Sequence, residues 1–66
     1  MKEIKFAENL KNLRKGQALS QTELGKLVGV NYRTVGTWER GECEPDFNTL
    51  SKLCEIFNET FDSLLT

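Results

Sequence analysis

Apolar residues return along this chain at intervals of three and four, never in strict alternation with polar ones. Phe6, Leu10 and Leu13 form one stripe, which predicts a helix from about Ile4 to Lys15. Lys11, Asn12 and Lys15 fall off that stripe and belong in water. Gly16 is the expected stop, and Leu19 then tucks back into the core. Ser20-Gln21-Thr22-Glu23 reads as a capping box opening a second helix, Gln21 to about Val28, with Leu24 and Val28 inward. Gly25 costs about 1 kcal/mol of helix propensity relative to Ala; a close crossing with the next helix is the compensation. Leu27 either borders the core or is exposed toward a partner. Gly29 supplies the left-handed reversal and Asn31 caps a third helix, Tyr32 to about Arg40. Val35 and Trp38 face inward, whereas Tyr32, Arg33, Gly36, Thr37 and Arg40 share the other side. After Gly41, Pro45 and Asp46 lead into a helix running to about Phe57, carrying Leu50, Leu53, Cys54 and Phe57 on one face. Thr60 caps a last short helix, Phe61 to Leu65. The pattern predicts an all-α fold of five short helices in one domain over residues 1–66.

Composition narrows the function. Sixty-six residues at 38% hydrophobic content support a small core, too apolar for a disordered tail. The chain has no apolar run of membrane-spanning length and no signal peptide, so a cytoplasmic setting is expected. Net charge is −1, which taken whole opposes nucleic-acid binding. Its distribution points the other way. Residues 1–41 hold eight Lys/Arg and four Asp/Glu, a net of +4, and residues 42–66 hold one and six, a net of −5. A field divided in this way can face DNA with one side and stay soluble. Cys43 and Cys54 are too few for a disulfide scaffold, and with no histidine no zinc set forms. Cys54 fits a buried helix position; Cys43, in a polar loop, is expected as an exposed thiol. The absence of histidine, of a Gly-rich phosphate loop and of a nucleophile–base pair argues against an enzyme. No cofactor, metal or small-molecule ligand is expected.

Residues 21–40 therefore carry the information. Two short helices joined by a tight turn are a common means of placing one helix in the major groove. The segments LSQTELGKLVGV, WERG, EPDFNTLSKL and FDSLL, in this order and spacing, resemble the phage repressor and Cro-like (Xre-type) helix-turn-helix family across almost the whole chain. The resemblance implies roles. Tyr32, Arg33, Gly36 and Thr37 match base-reading positions. The residue types suit base reading, since Arg forks onto guanine and Thr offers a methyl or a hydroxyl. Gly36 either lets a base approach closely or is simply tolerated. Gln21, Asn31 and Arg40 match positions at the DNA backbone, though Gln21 is also an ordinary first-turn residue. Arg14 and Glu39 match a salt bridge joining the first helix to the third. In relatives the loop after the third helix is often basic; here residues 42–46 carry Glu42, Glu44 and Asp46, which argues against DNA contact by that loop.

The resemblance also implies a homodimer on double-stranded DNA, with two reading helices in successive major grooves. Phe47, Phe61, Leu64 and Leu65 exceed what a small core needs, and Phe47, Phe61 and Leu65 are the expected interface. The function expected is a sequence-specific transcriptional regulator, a repressor on a near-palindromic operator. Two alternatives stand beside it: a protein-interaction module of antitoxin or regulatory-subunit type, and the N-terminal domain of a longer regulator.

Overall fold

A computed structural model describes residues 5–66. Five helices follow in order: α1 (Phe6–Gly16), α2 (Gln21–Val28), α3 (Tyr32–Glu39), α4 (Phe47–Phe57) and α5 (Phe61–Leu65). Among the described residues there is no strand, and the expected all-α architecture is the one found. The expected start at Ile4 lies outside the described residues.

Each of α2 to α5 begins where a side chain can satisfy its free N–H groups. At α2 the Glu23 N–H donates to Ser20 Oγ (3.0 Å) and the Ser20 N–H to Glu23 Oε1 (2.8 Å), the reciprocal box expected there. Asn31 accepts from the Arg33 N–H, Asp46 from Thr49 and Thr60 from Ser63. Gly29, at φ 92°, ends α2 in the left-handed conformation. Gly25 sits where α2 meets the turn into α3: a Cβ there would lie 2.6 Å from the Val30 carbonyl oxygen. The close approach inferred for it is therefore built in backbone, which cannot swing aside.

The end of α1 differs from expectation. Gly16 is its last helical residue, and the left-handed residue of the connection is Ala18, at φ 56°. Geometry decides the position. The Leu19 N–H donates to the Arg14 carbonyl, and Arg14 Nη1 donates back to the Leu19 carbonyl (2.8 Å). This places the reversal at residue 18 and leaves the glycine's freedom unused, although a left-handed alanine costs about 1 kcal/mol.

One core unites the five helices: Phe6, Leu10, Leu24, Val28, Val35, Trp38, Leu53, Phe57 and Leu64 are all buried. Leu13, Leu19, Val30, Leu50, Cys54, Ile56 and Leu65 pack around it. The two ends of the described chain meet. The Lys5 N–H donates to the Leu65 carbonyl (2.7 Å) and Asn9 Nδ2 to the Leu64 carbonyl (2.9 Å). Leu64 is thus core, not surplus, and Leu65 is half-buried against it. Leu27 is 58% exposed, which settles its open placement. No helix among the described residues is long and apolar enough to cross a membrane.

Candidate nucleic-acid interface

The outer face of α3 begins at Tyr32 and Arg33, both exposed. The Arg33 guanidinium lies 5.8 Å from the centre of the Tyr32 ring, a cation–π distance. The Arg33 guanidinium makes no side-chain hydrogen bond among the described residues, so its N–H groups are open to donate. One turn on, the Thr37 hydroxyl donates to the Arg33 carbonyl (2.9 Å) and accepts from Arg40 Nη2 (3.3 Å). Arg40 leans back along the helix, so that Arg33, Thr37 and Arg40 form a continuous polar ridge.

Gly36 does not lie on that ridge. It is buried, and a Cβ there would meet Arg40 Nη1 at 3.1 Å and the Gln21 amide at 3.6 and 3.7 Å. Its expected place on the reading surface needs correction. The residue is a floor over which Gln21 and Arg40 close, because both side chains are drawn across it to partners on either side.

Gln21 crosses to Glu39, donating from Nε2 to Oε1 (3.1 Å). The same carboxylate accepts from Arg14 Nε at Oε2 (2.6 Å) and from Nη2 at Oε1 (3.0 Å), a two-point fork. Both side chains are sealed, with 11% of Arg14 and 4% of Glu39 exposed. Burial alone would raise the Glu39 pKa. The hydrogen bonds from Arg14 and Gln21, with the positive charges of Arg14 and Lys11, outweigh it and hold the carboxyl below its ordinary value. Arg14 is correspondingly raised, first by its hydrogen bond to Glu39. Since Arg14 also holds the Leu19 carbonyl, one guanidinium ties α1, the entry to α2 and the end of α3 together. The joint pins the C-terminal end of α3 to α1.

The neighbouring ion pair is open to water. Arg40 Nε lies 3.0 Å from Glu42 Oε2 and Nη2 lies 3.3 Å from Oε1, with side chains 59% and 58% exposed. Each partner favours the other's charge, raising Arg40 and lowering Glu42. Glu42 reaches this position by a turn. Gly41, at φ 74°, reverses the chain, the Gly41 N–H donates to the Trp38 carbonyl, and the Glu42 N–H donates to that of Thr37. The acids of residues 42–46 predict a loop that repels DNA, yet Glu42 folds onto Arg40 instead. The Arg40-Gly41-Glu42 spacing, with glycine between opposite charges at a helix end, is the signal that was available.

Asn31 is exposed at the start of α3, with its side-chain Oδ1 accepting the capping hydrogen bond from the Arg33 N–H. On another side, Phe47 is 71% exposed and Phe61 37% exposed, with ring centroids 5.1 Å apart. Beside Phe61 an open groove of about 380 Å³ is lined by Ser51, Cys54, Asn58 and Thr60 among others. Leu65 is half-buried, so the exposed apolar surface here is the phenylalanine pair. Cys43 is exposed; Cys54 is half-buried, and burial with the charge of Glu59 raises its thiol pKa. No group of His, Cys, Asp and Glu among the described residues could hold a metal ion.

This geometry has close counterparts. An SPbeta prophage-derived, uncharacterized HTH-type transcriptional regulator, YonR of Bacillus subtilis (strain 168), is 37% identical over 60 residues, covering 91% of this chain and 56% of its own length. The chain thus spans little more than half of that relative. The crystal structure of a transcriptional regulator from Listeria innocua superposes with a TM-score of 0.92 at 34% identity, over 97% of this chain and 60% of the other. The P22 c2 repressor, crystallised with a synthetic operator, superposes with a TM-score of 0.88 at 32% identity, over 100% of this chain and 97% of that one. The helix-turn-helix family profile matches residues 10–64, from the middle of α1 into α5, and the chain belongs to that family.

Proposed function

We propose that this chain binds double-stranded DNA in a sequence-specific way and regulates transcription as a repressor, with α3 as the reading helix. The observation that carries the reading is the ridge of Tyr32, Arg33, Thr37 and Arg40, on a helix whose C-terminal end is pinned by the sealed Arg14–Glu39 joint. Direct readout needs such a pairing of a donor-rich face with a rigid support. Arg33 is the base reader, since its guanidinium fork has no partner among the described residues. Thr37 offers its methyl, because its hydroxyl is already bonded to the Arg33 carbonyl. Gln21, Asn31 and Arg40 flank the reader at the phosphates, where helix N-termini and a guanidinium favour anions. The operator-bound P22 c2 repressor supports this reading through its likeness to the full length of the chain.

The unit acts as a homodimer on a near-palindromic operator, occluding a promoter. One module buries too little DNA surface for a unique genomic site. The exposed Phe47–Phe61 pair is the apolar surface suited to a symmetric contact. The chain needs no cofactor and performs no catalysis.

Selection from a random duplex library at low and moderate salt tests the proposal. A two-fold symmetric consensus that fades as salt rises is the expected result. Arg33→Ala relaxes preference at one operator position, and Gln21→Ala weakens all sequences alike. No enrichment at either salt sinks the DNA reading and moves the function to a protein partner. If both variants lose affinity uniformly, the division between reader and anchor is wrong.

A further inference from the structure

Arg40 lies on the reading ridge, yet its donor edge is taken by the chain itself. Two donors of its fork point at the two oxygens of Glu42, in the manner in which a guanidinium meets a phosphate. A third contact, from Nη2 to the Thr37 hydroxyl, keeps the side chain over α3. The carboxylate is delivered by the glycine turn and by the Glu42 N–H to the Thr37 carbonyl, 3.1 Å away. Its position is therefore built into the end of the helix. Glu44, also exposed in the same loop, makes no ion pair among the described residues.

Resting on the DNA reading above, we propose that Glu42 is an internal competitor for phosphate: it occupies the fork of Arg40 in the free protein and is displaced when DNA binds. Arg33, beside the Tyr32 ring and without an ion-pair partner among the described residues, is free to read bases at once. Arg40 must first give up a carboxylate. The exchange swaps one anion for another, so this contact adds little net affinity on any sequence. It holds down indiscriminate backbone binding relative to base readout. The phosphate that receives Arg40 still releases its condensed cation, since an isolated carboxylate condenses none, so the competitor lowers affinity without removing the contact's share of the salt dependence.

Glu42→Gln, Glu44→Gln, Arg40→Ala and Arg40→Ala/Glu42→Gln are compared with the unsubstituted chain, by fluorescence anisotropy on a random-sequence duplex across a salt series. Both glutamine variants remove one negative charge from the same loop, so only direct competition separates them. Glu42→Gln is expected to bind roughly two- to fivefold tighter, the range of an exposed ion pair. Its plot of log affinity against log salt should keep nearly the same slope, because Arg40 neutralises one phosphate in either protein. Glu44→Gln should raise affinity less. In the Arg40→Ala background the Glu42 substitution should gain no more than Glu44→Gln does. Equal gains from the two glutamine variants overturn the proposal and show a loop field only. A Glu42 gain that persists without Arg40 does the same. Weaker binding by Glu42→Gln also overturns it, in favour of Glu42 positioning Arg40 on DNA. If the unsubstituted chain binds no duplex at low salt, the DNA reading itself falls. Binding with equal glutamine variants removes only the competitor.

Discussion

Glu39 and Arg40 are consecutive residues at the end of α3, and each belongs to an ion pair with two-point geometry. Glu39 turns inward to Arg14 on α1, where almost none of either side chain meets water. Arg40 turns outward to Glu42, and more than half of each side chain is solvated. The chemistry of the two pairs is the same and the surroundings differ. A sealed pair cannot lose one partner without stranding the other in a poorly solvated site, whereas an open pair exchanges either partner for water or another ion. The first therefore acts as a joint and the second as a contact open to exchange. One turn of helix supplies both, because residues 39 and 40 point about 100° apart.

The largest effect expected from this contrast is at Arg14. Arg14→Ala leaves Glu39 buried with only the Gln21 amide and frees the Leu19 carbonyl. The loss should be roughly 3 kcal/mol. A domain of this size holds only about 3–10 kcal/mol in all, so the variant sits near unfolding. Urea denaturation measures it. Replacing Arg14 and Glu39 together by methionine should recover most of the loss, since no charge is then stranded. If the double variant is no better than Arg14→Ala, the pair supplies attraction beyond its desolvation.

Acid gives the next effect. Glu39 has a folded-state pKa below its unfolded value, near 4.3. Its contribution is fully present above that unfolded value and is lost as pH falls through the depressed folded one. Glu23, Glu42 and Asp46 are lowered as well and act in the same direction, but from exposed positions. Unfolding midpoints should therefore drop steadily below about pH 5. In Glu39→Gln the drop should be shallower than in the unsubstituted chain. Equal slopes would assign the acid sensitivity to the exposed carboxylates instead.

Much of the molecule was legible in the sequence, and the physics divides what was from what was not. Ser20 with Glu23, Gly29, Asn31, Asp46 and Thr60 are local devices, each satisfying N–H or C=O groups within a few residues, and all five fell where expected. The Arg14–Glu39 pair joins residues 25 apart, and no local pattern signals it; only the family resemblance named those two residues. Ala18 defeated the reading of Gly16 because the turn is positioned by Arg14 gripping Leu19, a contact between side chain and backbone. Gly36 looked like a face residue by helical angle alone. It is buried by the lateral reach of Gln21 and Arg40, which periodicity does not describe. Leu64 looked surplus until Asn9 and Lys5 drew the end of the chain against α1.

The smallest stability effect is expected at Arg40, and it is the one that tests the comparison most closely. Arg40→Ala removes a side chain whose contacts are to Glu42, to the Thr37 hydroxyl and to the space over Gly36, all at a solvated edge. Glu42 is then free in water, where its charge is hydrated. The helix end keeps its closure, because the turn rests on backbone bonds from Gly41 to Trp38 and from Glu42 to Thr37. The urea midpoint should therefore stay within error of the unsubstituted chain, in contrast to the collapse expected of Arg14→Ala. A fall comparable to that of Arg14→Ala would mean that Arg40, roofing Gly36 beside Gln21, belongs to the joint itself, and that residues 39 and 40 act as a single unit.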